Sequence, residues 1–128
     1  MRHTLLLSSF VVPFFCFAQA GTLDPSFGTN GIVNTANSNY ATLVAVRPDG
    51  RVLSGGTSYQ GGDVAFTVVG YTSAGALDAS FGNGGTAAFT FQGNSETPFA
   101  MALQGDGKVI LAGGVQSSIG ADFQIALV

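Results

Sequence analysis

One short stretch occurs twice. Residues Gly21–Gly31 read GTLDPSFGTNG and residues Gly75–Gly85 read GALDASFGNGG. A glycine-rich turn that returns after a fixed interval divides a chain into periods, and each period then has to build the same supersecondary unit. The interval holds along the rest of the sequence. Asp78 follows Asp24 by 54 residues, while Asp106 follows Asp49 and Phe123 follows Phe66 by 57. One three-residue insertion in the region Gln92–Thr97 accounts for the difference.

Within the first period the apolar runs are short and punctuated by turn residues. Gly28 leads through Gly31-Ile32-Val33 to Thr35, and a polar link of Asn34, Asn37, Ser38 and Asn39 follows. Tyr40 to Val46 is β-branched and apolar, as a strand is. Arg47-Pro48-Asp49-Gly50 carries Pro and Asp-Gly where a tight turn needs a preset φ and a positive φ. Arg51 to Ser54 forms the return arm, ending at Gly55-Gly56, a polar loop runs from Thr57 to Gly62, and Asp63 to Tyr71 is the third strand. The second period follows suit with Thr86–Phe91, Pro98–Leu103, the turn Gly105-Asp106-Gly107-Lys108, Val109–Gly113 and Asp122–Val128.

These signals predict an all-β protein built from a repeat of four-stranded antiparallel units. Units of this size are the mark of propeller blades. Leu43–Val46 and Val109–Ala112 are apolar at consecutive positions, the pattern of strands buried on both faces, which favours stacked blades over a sandwich with alternating strands. The sandwich is the structural alternative. The expected organisation is a leader at 1–20, a first unit at 21–74 and a second at 75–128, so that the chain makes two blades of an incomplete β-propeller. The next copy of the turn would fall just past Val128, which suggests a fragment of a longer repeat protein or several copies assembling through open blade edges.

The leader has a basic start at Met1-Arg2-His3, an apolar run from Leu5 to Phe17 and a small-x-small triplet at Ala18-Gln19-Ala20. This is the pattern of a secretory signal peptide. The run is too short to span a bilayer, which takes about 20 residues, and the phenylalanines before Cys16 argue against lipid attachment there. The sole His and sole Cys of the chain both lie in this leader, so a mature chain from Gly21 has neither disulfides nor thiolate or imidazole metal ligands. Three basic residues stand against seven acidic ones in that mature chain, with no basic cluster to attract nucleic acid. All 19 Gly fall there as well, and at about 1 kcal/mol each they oppose helix.

LDPSFGTNGIV, AVRPDGRVLSGG, DVAFTVVGYTSAGALDASFG and ALQGDGKVILAGG closely resemble the bacterial delta-60 repeat, a family grouped with β-propellers, over the whole of Gly21–Val128. Copies in that family usually end their third strand in Arg-Tyr, where this chain has Gly70-Tyr71 and Leu127-Val128. The resemblance implies an extracellular or cell-surface bacterial protein and brings no catalytic motif with it.

The residues themselves bear on several chemistries. Asp24, Ser26 and Asn30, with Asp78, Ser80 and Asn83, place oxygens at close spacing and are the candidate calcium ligands. The opposing reading is that both aspartates close Asx turns while Phe27 and Phe81 plug the core between blades. Asp49-Gly50-Arg51 and Asp106-Gly107-Lys108 read as solvated hairpin turns. Gly55-Gly56 and Gly113-Gly114 lack the Lys-Ser or Lys-Thr of a phosphate loop. Nucleophilic hydrolysis lacks a base, and Asp63 and Glu96 fall in predicted loops with nothing to bring them together. The expected function is therefore a secreted, non-enzymatic scaffold or interaction module with a protein or glycan partner and no cofactor. The alternatives are a calcium-binding extracellular module and the non-catalytic part of a larger propeller hydrolase.

Overall fold

The computed structural model describes residues 21–35, 40–60, 62–90, 95–117 and 120–127, with the side chains of 60, 95, 117 and 120–127 set aside. The leader, the link at Asn37–Asn39 and residues Gln92–Asn94 of the insertion lie outside the described residues. Among those described there is no helix, and none therefore that could cross a membrane.

Among the described residues seven strands form two antiparallel sheets. The first holds β1 (Ala41–Val46), β2 (Val52–Gln60), β3 (Asp63–Tyr71) and β4 (Thr86–Phe89) in that order, and the second holds β5 (Ser95–Leu103), β6 (Val109–Ser117) and β7 (Gly120–Leu127). Their registers match pair for pair at the 57-residue interval. Val46 faces Val52 as Leu103 faces Val109, and Leu53 faces Gly70 as Ile110 faces Leu127. Even the irregularity recurs, between Ala41 and Leu43 in one sheet and between Pro98 and Ala100 in the other.

Sheet and sequence period are out of phase. Thr86–Phe89 follows the second LDxSFG turn, yet it pairs with β3, Phe66 opposite Phe89 and Val69 opposite Thr86. Its counterpart after the first turn, Ile32–Thr35, lies in no strand; Ile32 forms the isolated bridge with Thr29. The four-stranded unit expected of the first period is thus completed by a segment of the second.

Three further expectations change. The Gly55-Gly56 pair does not end the return arm, because β2 continues through it and through most of the expected Thr57–Gly62 loop. A Cβ at Gly56 would run into the Tyr40 carbonyl, so glycine here lets β1 and its lead-in lie close against β2. Glu96 stands in β5, not in a loop, while Asp63 opens β3 as the third-strand reading has it. Finally, the strand buried on both faces is β3, whose residues Ala65 to Tyr71 are all buried, whereas β1 is an edge strand with Val44 71 % and Val46 61 % exposed.

The core lies between the sheets. Leu53, Phe66 and Val68 of the first meet Val109 and Leu111 of the second, with Leu43, Phe81, Met101 and Leu103 packed around them. Each fully buried side chain of this size adds about 1.5–3 kcal/mol relative to exposure, so this layer dominates the stability of the pair. Glu96 is also fully buried, and its Oε2 accepts the Phe66 N–H at 3.2 Å, tying β5 to β3.

Candidate functional site

The two LDxSFG turns share one hydrogen-bond skeleton. Asp24 Oδ1 accepts the Ser26 N–H at 2.9 Å and the Ser26 hydroxyl at 2.6 Å, and Asp78 Oδ1 accepts the same groups of Ser80 at 3.1 and 2.6 Å. Phe27 N and Phe81 N donate back to the Asp24 and Asp78 carbonyls, and Gly31 N and Gly85 N to the Phe27 and Phe81 carbonyls. Both aspartates are thus Asx-turn residues. The serine hydrogen bonds hold each carboxyl below its ordinary value of 3.8, with the Arg51 charge adding to the effect at Asp78.

The third oxygens proposed for calcium are not equivalent. Asn30 has a left-handed backbone with φ 53°, and its counterpart is Gly84 at φ 60°; Asn83 instead matches Thr29, and both use their backbone to bridge the turn. Among the described residues no group of three or more His, Cys, Asp or Glu side chains converges on a point.

The second turn is sewn to the first sheet. Gly70 N donates to the Gly85 carbonyl, Asp78 N donates to the Gly70 carbonyl, and the Phe81 ring lies over Gly70, where a Cβ would come within 2.8 Å of it. Asp78 Oδ2 accepts Arg51 Nη1 at 3.0 Å, and Ser80 Oγ lies 3.3 Å from the same nitrogen. One turn therefore caps the end of the sheet that precedes it. Sequence reasoning assigned Arg51 to solvent and missed this pair, although the recurrence of a basic residue after both Asp-Gly turns was a visible signal.

The hairpin turns are likewise copies. Arg47 N donates to the Arg51 carbonyl and Gly50 N to the Arg47 carbonyl, as Gln104 N and Gly107 N do to Lys108 and Gln104. The glycines have φ 83° and 88°, the left-handed position of a three-residue hairpin loop. Asp49 and Asp106 each accept the N–H two residues on, and Lys108 Nζ pairs with Asp106 at 2.6 Å, which lowers the Asp106 carboxyl pKa.

The two hairpin turns line one open cleft of about 560 Å³, to which Val46, Asp49, Leu103, Gln104 and Asp106 contribute. Arg47 bridges it. Its Nη2 donates to the Gly107 carbonyl at 2.7 Å, and its guanidinium carbon sits 5.8 Å from the Phe81 ring centroid. Its buried Nε has no hydrogen-bond partner. The lining is mixed, apolar at Val46 and Leu103 and polar at the two turns, and its carboxylates are paired, Asp49 with Arg51 at 3.4 Å and Asp106 with Lys108 at 2.6 Å. No protein-family model matches the chain, and no curated protein or solved structure is similar to it.

Proposed function

We propose that this chain is a secreted, non-enzymatic β-repeat module of the delta-60 type, two units of a propeller-like stack, that acts as a scaffold or interaction surface. The observation that carries the reading is how the polar groups of the duplicated turns are used. Asp24 and Asp78 spend Oδ1 on their own turns, and Asp78 spends Oδ2 on Arg51 of the preceding hairpin. Repeated acidic residues engaged in this way are joints of an architecture, and the signal-like leader sends that architecture outside the cell.

The surface offered to a partner is the hairpin cleft, which Asp49 and Asp106 both line. Hydroxyl-rich glycans and protein segments are the ligand classes that this lining, part apolar and part paired charge, would accept. Titration of the purified protein with bacterial and plant polysaccharides, followed by calorimetry, tests this. Binding that weakens in Asp106→Asn without release of any product supports the module reading. Turnover of a sugar ester, glycoside or lactone that Asp106→Asn abolishes would contradict it.

A further inference from the structure

Four dipeptides of the chain join Asn or Asp to Gly: Asn30-Gly31, Asp49-Gly50, Asn83-Gly84 and Asp106-Gly107. Such a pair closes readily into a five-membered succinimide ring, because glycine has no Cβ to shield its nitrogen, and asparagine is the more reactive partner. Closure requires the glycine N–H to give up its proton, so an N–H already donated to a carbonyl is held out of the reaction. Three of the four are held in this way. Gly31 N donates to the Phe27 carbonyl at 2.8 Å, Gly50 N to Arg47 at 2.9 Å and Gly107 N to Gln104 at 3.0 Å. The fourth, Gly84 N–H, donates to no acceptor among the described residues, and both Asn83 and Gly84 are exposed.

The difference comes from a shift of one residue between the two turns. Asn30 occupies the place of Gly84, with φ 53° against 60°, so the glycine after Asn30 takes the place of Gly85, whose N–H is bonded to the Phe81 carbonyl at 2.8 Å. Asn83 stands one position earlier, at the mouth of the hairpin. Its N–H donates to the Thr86 carbonyl at 2.8 Å, and its carbonyl accepts the Thr86 N–H at the longer 3.3 Å. Only that longer bond has to yield for the Asn83 side chain to swing over Gly84 N.

We propose that Asn83-Gly84 is a site of spontaneous deamidation whose isoaspartyl product loosens β4 from β3. Gly84 N attacks Asn83 Cγ, a C–N bond forms as the Cγ–Nδ2 bond breaks, and the proton lost from Gly84 N leaves with Nδ2 as ammonia. Water then opens the ring. Addition at Cγ gives aspartate on the ordinary main chain, whereas addition at the main-chain carbonyl carbon gives isoaspartate, whose main chain runs through Cβ and Cγ and is one atom longer. The hairpin has little slack to take up that atom. Gly84 and Gly85, with φ 60° and 99°, form a two-residue loop. Gly85 is buried, a Cβ on it would come within 2.6 Å of Leu77 Cγ, and its carbonyl accepts the Gly70 N–H at 2.9 Å. Thr86, the next residue, opens β4 opposite Val69.

The test ages the full chain in mildly alkaline buffer, folded and in parallel unfolded in urea. Cleavage after Arg51 and Lys108 puts Asn30 and Asn83 in different peptides, whose masses and fragments give the conversion at each position. An isoaspartyl-specific methyltransferase marks the longer-chain product. In the folded protein Asn83 should convert about tenfold faster than Asn30, the rate equivalent of one retained hydrogen bond, while in urea the two should convert at similar rates. Equal rates in the folded chain, or Asn30 leading, overturn the site. Aged wild type should melt lower than fresh protein, and Asn83→Gln, whose side chain is too long for the five-membered ring, should not change its melt on ageing. Conversion of Asn83 with an unchanged melt overturns the loosening of β4. Neither result touches the scaffold reading, which glycan binding and turnover test separately.

Discussion

Arg51 Nη1 lies 3.0 Å from Asp78 Oδ2, and this pair links the hairpin of the first sheet to the second copy of the duplicated turn. The carboxylate side chain is only 12 % exposed and the arginine 43 %, so the bond is sheltered at one end. It is one of the contacts, with the β3–β4 pairing and the core between the sheets, that join the two halves of the sequence repeat.

Acid should weaken that joint. The Asp78 carboxyl is held below 3.8 by the Ser80 hydroxyl first and by Arg51 in addition, so its folded-state pKa lies under the unfolded one. Such a group contributes stability that is fully present above the unfolded pKa and is lost as pH falls through the folded one. The melting temperature of the wild type should therefore drop as pH falls below 3.8, and Asp78→Asn should start lower at pH 7 and fall less steeply. Parallel melting curves from pH 7 to pH 2.5 check this; equal slopes for both proteins would count against the pair.

Gly70→Ala should destabilise by about 1–3 kcal/mol, the usual effect of forcing a methyl into a filled site. The added Cβ would press on Phe81 Cβ and Cγ at 2.8 Å and lift the turn from the sheet. Urea unfolding measures it, and Phe81→Ala in the same background should recover part of the loss if the clash is the cause.

Glu96 presents a fully buried acceptor to the Phe66 N–H. Glu96→Ala should lower stability by about 1–3 kcal/mol by leaving that amide without its partner. Glu96→Gln keeps a carbonyl oxygen and should lose less. Chemical denaturation of the three proteins separates the cases, and equal losses for Ala and Gln would show that the hydrogen bond is not what matters.

Much of this fold was legible in the sequence, because turn chemistry is local. Pro48-Asp49-Gly50 and Gly105-Asp106-Gly107 dictated their hairpins through φ alone, and the extent of β3 was readable from its β-branched run. The extent of β2 was not. Gly55-Gly56 looks like a strand end in one dimension, and only the approach of Tyr40 and Met101 explains why a strand needs glycine there. The phase of the sheets was hidden for a similar reason: which neighbour β4 pairs with is decided by an edge contributed by the previous period. The same non-local cause placed Glu96 in a strand and gave Arg51 a partner 27 residues away. The aspartates of the duplicated turns were visible as candidates for either a turn or an ion, and the turn geometry accounts for their Oδ1 atoms.

Calcium gives a further check on those turns. With Asp24 and Asp78 engaged by Ser26 and Ser80, and with Asn30 and Asn83 at non-equivalent positions, millimolar calcium should leave the melting temperature unchanged. Asp78→Ala should lower it equally with and without the ion. A calcium-dependent rise that Asp78→Ala removes would restore the calcium-module alternative.

The central claim is that Thr86–Phe89, which belongs by sequence to the second period, completes the sheet of the first. Cross-strand nuclear Overhauser effects in the folded protein test it most directly. The account requires contacts linking Val68 to Ala87 and Thr67 to Ala88, together with slow exchange of the bonded amides in both strands. Contacts joining Thr86–Phe89 to β5 of its own period instead would contradict it.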